Sequence, residues 1–251
     1  MSTNKKIELY GDGIGAVEYM SHMGTDLTVV NAARVSFGKH CNLLDPQDEK
    51  LINYLIKHKH TSTLEHNVVT FRFKVPLYVR SQHHRHRTWS YNEISRRYTE
   101  ENLEFYVPQM YRTQHKSNRQ ASNQEELINP HIPEKELNYL GDDAVISAHV
   151  GMHNPYMCMM ELNEHHHQWC LYLYNFMMEK GVCREQARGV LPQNLYTEYY
   201  GTVNLNNLMK FISLRTHEGA QWEIQKVAEA CLEIARDLWP VTVEAYERNK
   251  K

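Results

Sequence analysis

The chain has 251 residues, of which 41% are hydrophobic and 23% are charged, and its formal net charge is −2. This length allows a sizeable buried core, and the composition is that of an ordinary globular protein. The nearly neutral balance excludes a global positive field that would draw the protein onto nucleic acid or an anionic membrane, so anion binding must depend on local clusters.

The first residues, MSTNKKIELYGDG, lack the apolar core of a signal peptide, and no apolar run reaches the roughly 20 residues needed to cross a bilayer. We therefore expect a cytoplasmic protein with no membrane partner. The five cysteines include no CxxC pair, which argues against a disulfide framework and against a cysteine zinc site.

The first predicted element is a helix over residues 46–59, which Asp45 can cap and in which Pro46 suits the first position. Hydrophobic and polar residues alternate over residues 67–75, a pattern typical of a half-buried strand in an antiparallel sheet. Pro76 then opens the segment PLYVRSQHHRHR, which we interpret as a helix.

The middle of the chain, residues 112–150, is polar and shows little periodicity, so we predict a long loop or surface excursion there. A long helical pattern follows over residues 155–180, and Gly181 can terminate it. Residues 196–203 are aromatic and β-branched, which favours a second strand.

Two further helical patterns cover residues 205–214 and 221–238, and Pro240 ends the second. We find no regular βαβ alternation and no linker between domains. The predicted fold class is therefore α+β: mixed helices packed on a mainly antiparallel sheet, in a single domain over residues 1–251.

The segment from Arg80 to Arg97 holds the densest group of hydrogen-bond donors, and Glu93 is its only carboxylate. A solvated helix face would intersperse acids among the arginines. Because arginine binds phosphate bidentately, a nucleotide phosphate is the economical ligand. The alternatives are a non-catalytic module that binds nucleotides or RNA and a histidine-rich subunit contact that responds to pH.

Two histidine-rich segments raise the question of a metal. His165, His166 and His167 lie about 100° apart if helical, so they cannot chelate one ion from one face. The segment KHKHTSTLEH, residues 57–66, matches no zinc motif, and a capping role for Thr61 or Ser62 is the alternative to metal binding there. We therefore predict no metal site. A metal-dependent hydrolase built on the histidines is the rival hypothesis.

The arginine-rich segment resembles the signature of flavin-dependent thymidylate synthases, in which RHR is followed after seven residues by serine. Here Arg85, His86 and Arg87 are followed by Ser95. Other blocks resemble the family in the same order: AARVSF (32–37), KHKHTSTLEH (57–66), FRFKVP (71–76), ARGVLPQNLYT (187–197), TVNLNNLMKF (202–211) and LRTHEGAQWEI (214–224).

The resemblance implies the family's fold and its reaction. A one-carbon unit passes from 5,10-methylenetetrahydrofolate to C5 of dUMP, and FADH2, regenerated by NADPH, reduces it, giving dTMP and tetrahydrofolate. No cysteine nucleophile is involved. The resemblance also implies a homotetramer with shared active sites, small-molecule substrates and no nucleic-acid partner.

The resemblance assigns a catalytic role to Arg215, which would activate the uracil ring, and it places His60 against folate or flavin. It implies these dUMP-binding residues: Gln82, His83, His84, Arg85, Glu93, Ile94, Ser95, Arg96, Arg97, Arg188 and Arg215. It implies these FAD-binding residues: Ser62, Arg85, His86, Arg87, Glu93, Asn204, Leu205, Asn206 and Lys210.

Overall fold

The structure is a computed structural model that describes residues 5–100, 103–119, 121–133 and 157–250. Its strands are β1 (Lys6–Glu8), β2 (Ala16–Met23), β3 (Val68–Pro76), β4 (Ser90–Glu93), β5 (Tyr111–Gln114), β6 (Ser122–Ile128) and β7 (Tyr196–Asn204). Its α-helices are α1 (Asp26–Arg34), α2 (Pro46–Lys57), α3 (Leu77–His83), α4 (Met159–Glu179), α5 (Arg184–Ala187), α6 (Leu205–Arg215), α7 (Trp222–Leu238) and α8 (Pro240–Asn249). Short 3-10 turns occupy Val35–Phe37, Thr61–Leu64 and Arg188–Val190.

The chain forms two compact units. The first unit consists of Met1–Val75, Val79–Glu93 and Thr197–Lys251, and the second of Pro76–Tyr78 and Ile94–Tyr196. No helix in the described ranges combines the length and the apolar character that crossing a bilayer requires.

A five-stranded sheet with the order β1-β2-β3-β7-β4 forms the centre of the first unit. The pairs β1–β2, β2–β3 and β4–β7 are antiparallel, with Val17 opposite Phe73 and Tyr91 opposite Gly201. The predicted α+β class with a mainly antiparallel sheet is confirmed. The apolar residues of β3 are fully buried, because the strand is central and its alternating side chains face the core: Val69, Phe71, Phe73 and Val75.

Helix α2 begins as predicted. The Asp45 carboxylate accepts hydrogen bonds from the backbone N–H groups of Gln47 and Asp48, and Pro46 occupies the first turn. The helix ends at Lys57, two residues earlier than predicted, because Lys59 adopts a left-handed conformation with φ of 59°. The amides of Lys59 and His60 donate back to the carbonyls of Ile56 and Leu55, which is a Schellman cap.

Helices α1 and α8 are absent from the sequence-based prediction, and a buried carboxylate joins them. Asp26, at the start of α1, is 4% exposed and accepts from the backbone N–H groups of Val241 and Thr242 at 3.2 and 2.9 Å. It also accepts from the Thr242 hydroxyl. Pro240 therefore follows α7, as predicted, and also opens a further helix whose first amides are satisfied by Asp26.

The second unit contains α4, α5 and the antiparallel pair β5–β6. Strands β5 and β6 occupy part of the segment 112–150, so this part is not a loop, while the alternative of a surface excursion stays a prediction. Residues 134–150 lie outside the described residues, as does the predicted start of the long helix at residue 155. The remainder of that helix is confirmed as α4, which ends before Gly181 at φ of 84°.

Candidate active site

The RHR residues lie in a turn that links α3 to β4. Helix α3 ends at His83, so the helix predicted to continue through residue 87 is shorter than expected. The His86 amide donates to the His83 carbonyl at 2.9 Å, and the Tyr91 hydroxyl donates to the carbonyls of both histidines. The turn is thereby held closed, while the side chains of Arg85 and Arg87 stay exposed.

His83 supports this turn from inside the protein. Its side chain is fully buried, and its Nδ1 is 2.8 Å from the Tyr199 hydroxyl. Its ring packs against Trp89 and Phe211 at centroid distances of 4.5 and 4.6 Å. Burial lowers the pKa of His83 well below its ordinary value, so the ring is neutral. Because the His83 side chain is fully buried, only the backbone of His83 is left to contact dUMP.

Arg215 lies at the C-terminal end of α6 and contacts the same turn. Its Nε donates to the Nε2 atom of His86 at 3.1 Å. Burial and, after it, the charge of Arg215 lower the pKa of His86 to about 4. A neutral imidazole therefore accepts from a guanidinium that remains positively charged.

Glu93, at the end of β4, is fixed by two donors. Its Oε1 atom accepts from Nε of Arg80 at 3.0 Å and from the Thr197 hydroxyl at 2.7 Å. Neither Arg80 nor Thr197 was predicted as a site residue. The signal for Arg80 was its position at the start of the donor-rich segment, whereas Thr197 carries no sequence signal that points to Glu93.

Gln82 and His84 extend the same surface. The Gln82 amide is hydrogen-bonded to Gln221, whose own amide donates to Glu223 at 2.8 Å. His84 stacks on Tyr91 with ring centroids 4.0 Å apart. Burial lowers the pKa of His84 from its ordinary value. Gln221 is a further residue that sequence reasoning missed.

The N-terminus of α6 carries three of the predicted FAD residues. Asn204 caps the helix by accepting from the Asn207 amide at 2.9 Å. Leu205 is fully buried, so only its backbone is available to a ligand. Asn206 is 4% exposed and donates to Glu65 at 2.8 Å, which fixes its amide beside the segment that contains Ser62.

A pocket of about 810 Å³ lies along α6, which lines it from Asn206 to Ser213. Asn206 and Lys210 line it together with Thr61, the neighbour of the predicted residues His60 and Ser62. None of the described residues that line it is acidic, and its basic residues are Lys57, Lys59, Lys210, Arg248 and Lys250. Within the described chain, Lys57, Lys59 and Lys210 form no ion pair, so their charges are available to an anionic ligand.

The five remaining predicted residues lie in the second unit. Arg97 and Arg188 both contact Glu185. Arg97 pairs with the Glu185 carboxylate at 3.2 Å, and Nε of Arg188 donates to the Glu185 carbonyl at 3.4 Å. Ser95 accepts from the Arg97 amide at 3.3 Å. Arg96 instead donates to the Tyr196 carbonyl, and Ile94 is half-buried. Arg97 and Arg188 are exposed cations suited to a phosphate.

One member of the histidine triplet of α4, His167, is packed in the core of the second unit, whereas His166 is exposed. His167 is 5% exposed, stacks on Phe105 at 4.7 Å and contacts the amide of Asn194. Burial and, after it, His166 lower the pKa of His167 to about 4. Among the described residues, no three histidine, cysteine or acidic side chains gather as a metal site would require.

Exposed arginines in the RHR turn and a basic pocket along α6 are both typical of proteins that bind nucleotides. Residues 18–241 match the family described as Thymidylate synthase complementing protein. The chain belongs to this family, and the resemblance to flavin-dependent thymidylate synthases is confirmed.

The relatives match almost the whole chain. The flavin-dependent thymidylate synthase of Thermotoga neapolitana is 40% identical over 233 residues, covering 92% of this chain and 90% of that protein. An enzyme of the same description from Thermus thermophilus is 38% identical over 235 residues, covering 94% and 76%. A solved structure of the UMP/dUMP methylase PolB from Streptomyces cacaoi, bound with 5-Br dUMP, has a TM-score of 0.73 and 32% identity, covering 96% of this chain and 97% of that one.

Proposed function

We propose that the protein is a flavin-dependent thymidylate synthase. It transfers a one-carbon unit from 5,10-methylenetetrahydrofolate to C5 of dUMP, and C5 loses its proton. When bound, FADH2 supplies the hydride that completes the methyl group, and NADPH restores the reduced flavin. The products are dTMP, tetrahydrofolate and NADP⁺. The observation that carries this proposal is the oriented guanidinium of Arg215 at the RHR turn in a chain whose relatives bear this name.

Arg215 is the proposed catalytic residue. C5 of uracil becomes a nucleophile only when negative charge builds up on the ring, and a fixed cation beside the ring carbonyls stabilises that charge. The contact with His86 uses Nε and leaves both Nη groups of Arg215 for the pyrimidine. No cysteine is required for this activation, and the buried Cys231 thiol has a pKa that burial raises.

The remaining residues are proposed to bind and orient the ligands. Arg97, Arg188 and Ser95 would hold the dUMP phosphate, because two exposed guanidinium groups and a hydroxyl suit a dianion. Gln82, His84 and Glu93 would contact the nucleoside. Arg85, together with Ile94 and Arg96, completes the dUMP set as the resemblance implies it.

The residues present fit a flavin dinucleotide. The basic pocket beside α6 would accept the pyrophosphate of FAD through Lys210 and the neighbouring lysines, since opposite charge in a concave site favours the anion. Asn204, Leu205 and Asn206 would contribute backbone and amide groups at a helix N-terminus. His60, which is exposed, would face folate or flavin. The proposed FAD set is completed by Ser62, Arg85, His86, Arg87 and Glu93.

The assembly proposed is a homotetramer of catalytic chains that share active sites and reside in the cytoplasm. Support for self-association comes from α4, where Trp169, Tyr172 and Phe176 form a stacked row with centroids 5.6 and 6.1 Å apart. Tyr172 and Phe176 remain 43% and 42% exposed in the single chain. Such an apolar row is typical of a surface that another protein covers.

The test uses purified protein with dUMP tritiated at C5. With 5,10-methylenetetrahydrofolate and NADPH, tritium should be released and dTMP should form, and both should stop when NADPH is omitted. The protein should also show flavin absorbance. The competing candidate, a non-catalytic module that binds nucleotides or RNA, predicts oligonucleotide binding with a steep salt dependence and no tritium release.

A further inference from the structure

The contact between His86 and Arg215 joins residues 129 positions apart in the chain. It uses one nitrogen of each side chain. Neither Nη nitrogen of Arg215 has a hydrogen-bond partner in the part of the chain that the structure describes. The bond therefore restrains the guanidinium through Nε and leaves four N–H donors for a ligand.

The ring of His86 is itself held in place. Its amide donates to His83, its carbonyl accepts from the Tyr91 hydroxyl at 3.2 Å, and its ring meets Phe211 edge-on at a centroid distance of 4.9 Å. Arg215 and Phe211 lie on α6, four residues apart, so they share a helix face. The imidazole thus contacts that face twice, through a ring edge and through an acceptor nitrogen.

The chemistry of the contact requires a neutral ring. Because Nε2 accepts from a guanidinium, its lone pair is unprotonated and the ring hydrogen is on Nδ1. Burial and the charge of Arg215 lower the pKa of His86 to about 4, which keeps this state at neutral pH. A second cation at position 86 would repel Arg215 instead of orienting it.

We propose that His86 is a positioning residue, whose Nε2 atom orients the Arg215 guanidinium so that its free Nη groups meet the carbonyl edge of a bound pyrimidine. This inference rests on the proposed function for the role of Arg215. It gives His86 a task distinct from the flavin contact that the RHR resemblance implies. His86 need not touch the substrate, because it acts through Arg215.

The test compares three substitutions of His86. In His86→Gln, Oε1 can take the place of the accepting nitrogen. In His86→Phe, the ring can still pack on Phe211 but accepts no hydrogen bond, and His86→Leu removes both features. If the phenylalanine variant fails to fold, the leucine variant takes its place. Turnover and dUMP affinity are measured at saturating FAD, and the FAD dissociation constant is measured separately.

We expect His86→Phe to slow dTMP formation by about 10- to 100-fold and to weaken dUMP binding by about 5-fold, because it removes the charge-assisted hydrogen bond to Arg215. We expect His86→Gln to recover most of both losses. In an Arg215→Gln background, His86→Phe should have less than about a 2-fold further effect, since residues that act as a unit are not additive.

Three results would overturn the inference: full additivity of the two substitutions, equal losses in the glutamine and phenylalanine variants, or a loss confined to FAD affinity. Failure of the proposed function looks different, because the unsubstituted protein would then form no dTMP. The dUMP titrations still decide whether His86 acts through Arg215 in that case, since they require no turnover.

Discussion

Arg80 donates through Nε to Oε1 of Glu93 at 3.0 Å, joining helix α3 to the end of strand β4. The Thr197 hydroxyl donates to the same oxygen at 2.7 Å. These two hydrogen bonds to Oε1 fix the orientation of the Glu93 carboxylate. Glu93 is proposed to contact both dUMP and FAD, so Arg80 and Thr197 hold a carboxylate that two ligands share.

Arg80→Gln should weaken the binding of both dUMP and FAD by about 10-fold, because Glu93 loses a charge-assisted hydrogen bond that holds its carboxylate in place. Titration of each ligand checks this. Arg72→Gln is the matched control: Arg72 pairs with Glu18 elsewhere on the sheet, and its loss should leave both affinities unchanged. Unchanged affinities in Arg80→Gln would show that Glu93 does not depend on this contact.

Arg215→Gln should leave flavin bound and slow dTMP formation by about 10²–10³-fold, as expected when a preorganised electrostatic donor is removed. Flavin absorbance and single-turnover kinetics measure the two effects separately. Arg236, on α7, forms an exposed ion pair with Glu247, so Arg236→Gln serves as the control and should turn over normally. Near-normal rates of dTMP formation in Arg215→Gln would show that Arg215 is not the catalytic residue.

Lys59→Gly should raise the free energy of unfolding by about 0.5–1 kcal/mol, because glycine adopts the left-handed conformation at the end of α2 without steric penalty. Lys59 has φ of 59°, and it is the only non-glycine residue with positive φ among the described residues. Urea unfolding measures the change. Lys50→Gly, an exposed position in the interior of α2, should destabilise by about 1 kcal/mol. A less stable Lys59→Gly protein would mean that the lysine side chain stabilises the cap.

The buried histidines predict a loss of stability in acid. The pKa of His167 is lowered to about 4, so the unfolded chain binds a proton below about pH 6.5 before the folded chain does. Each such group therefore reduces the free energy of unfolding as pH falls from about 6.5 toward 4, by at most about 1.4 kcal/mol per pH unit. Above about pH 6.5 the effect is absent.

His167→Gln can keep the contact with Asn194 but does not titrate. Its unfolding free energy should fall less steeply between about pH 6.5 and pH 4 than that of the unsubstituted protein, measured by urea unfolding at several pH values. Parallel pH profiles for the two proteins would show that the fold does not oppose protonation of His167.

The sequence predicted those helices and strands that a local pattern of residues is enough to identify. Alternation predicted β3, the cap at Asp45 predicted the start of α2, and helical periodicity predicted α6 and α7 to within one residue. Helix α1 and the pair β5–β6 were missed. In α1 the residues DLTVVNAAR offer little apolar periodicity, and Asp26 satisfies the start of α8 from 216 residues away.

The residues of the site also fall into two groups, those that the sequence indicates and those that it does not. The RHR signature is visible in the sequence because Ser95 follows Arg87 after seven residues, and the resemblance of later blocks to the family points to Arg188 and Arg215. Thr197 and Gln221 are not visible in this way, since they contact Glu93 and Gln82 across 104 and 139 positions. Such contacts arise only from strand pairing and helix packing, which no local pattern encodes. The same reason explains why His83, within the donor-rich segment, is a core residue.

The decisive experiment for the proposed function is a mass-spectrometric assay with methylene-deuterated 5,10-methylenetetrahydrofolate, dUMP and NADPH. We predict dTMP whose methyl group carries both deuterium atoms, together with an equal amount of tetrahydrofolate. Formation should require bound flavin and should fall sharply in Arg215→Gln. A flavin-loaded protein that leaves dUMP unchanged while all three substrates are present would contradict the proposed function.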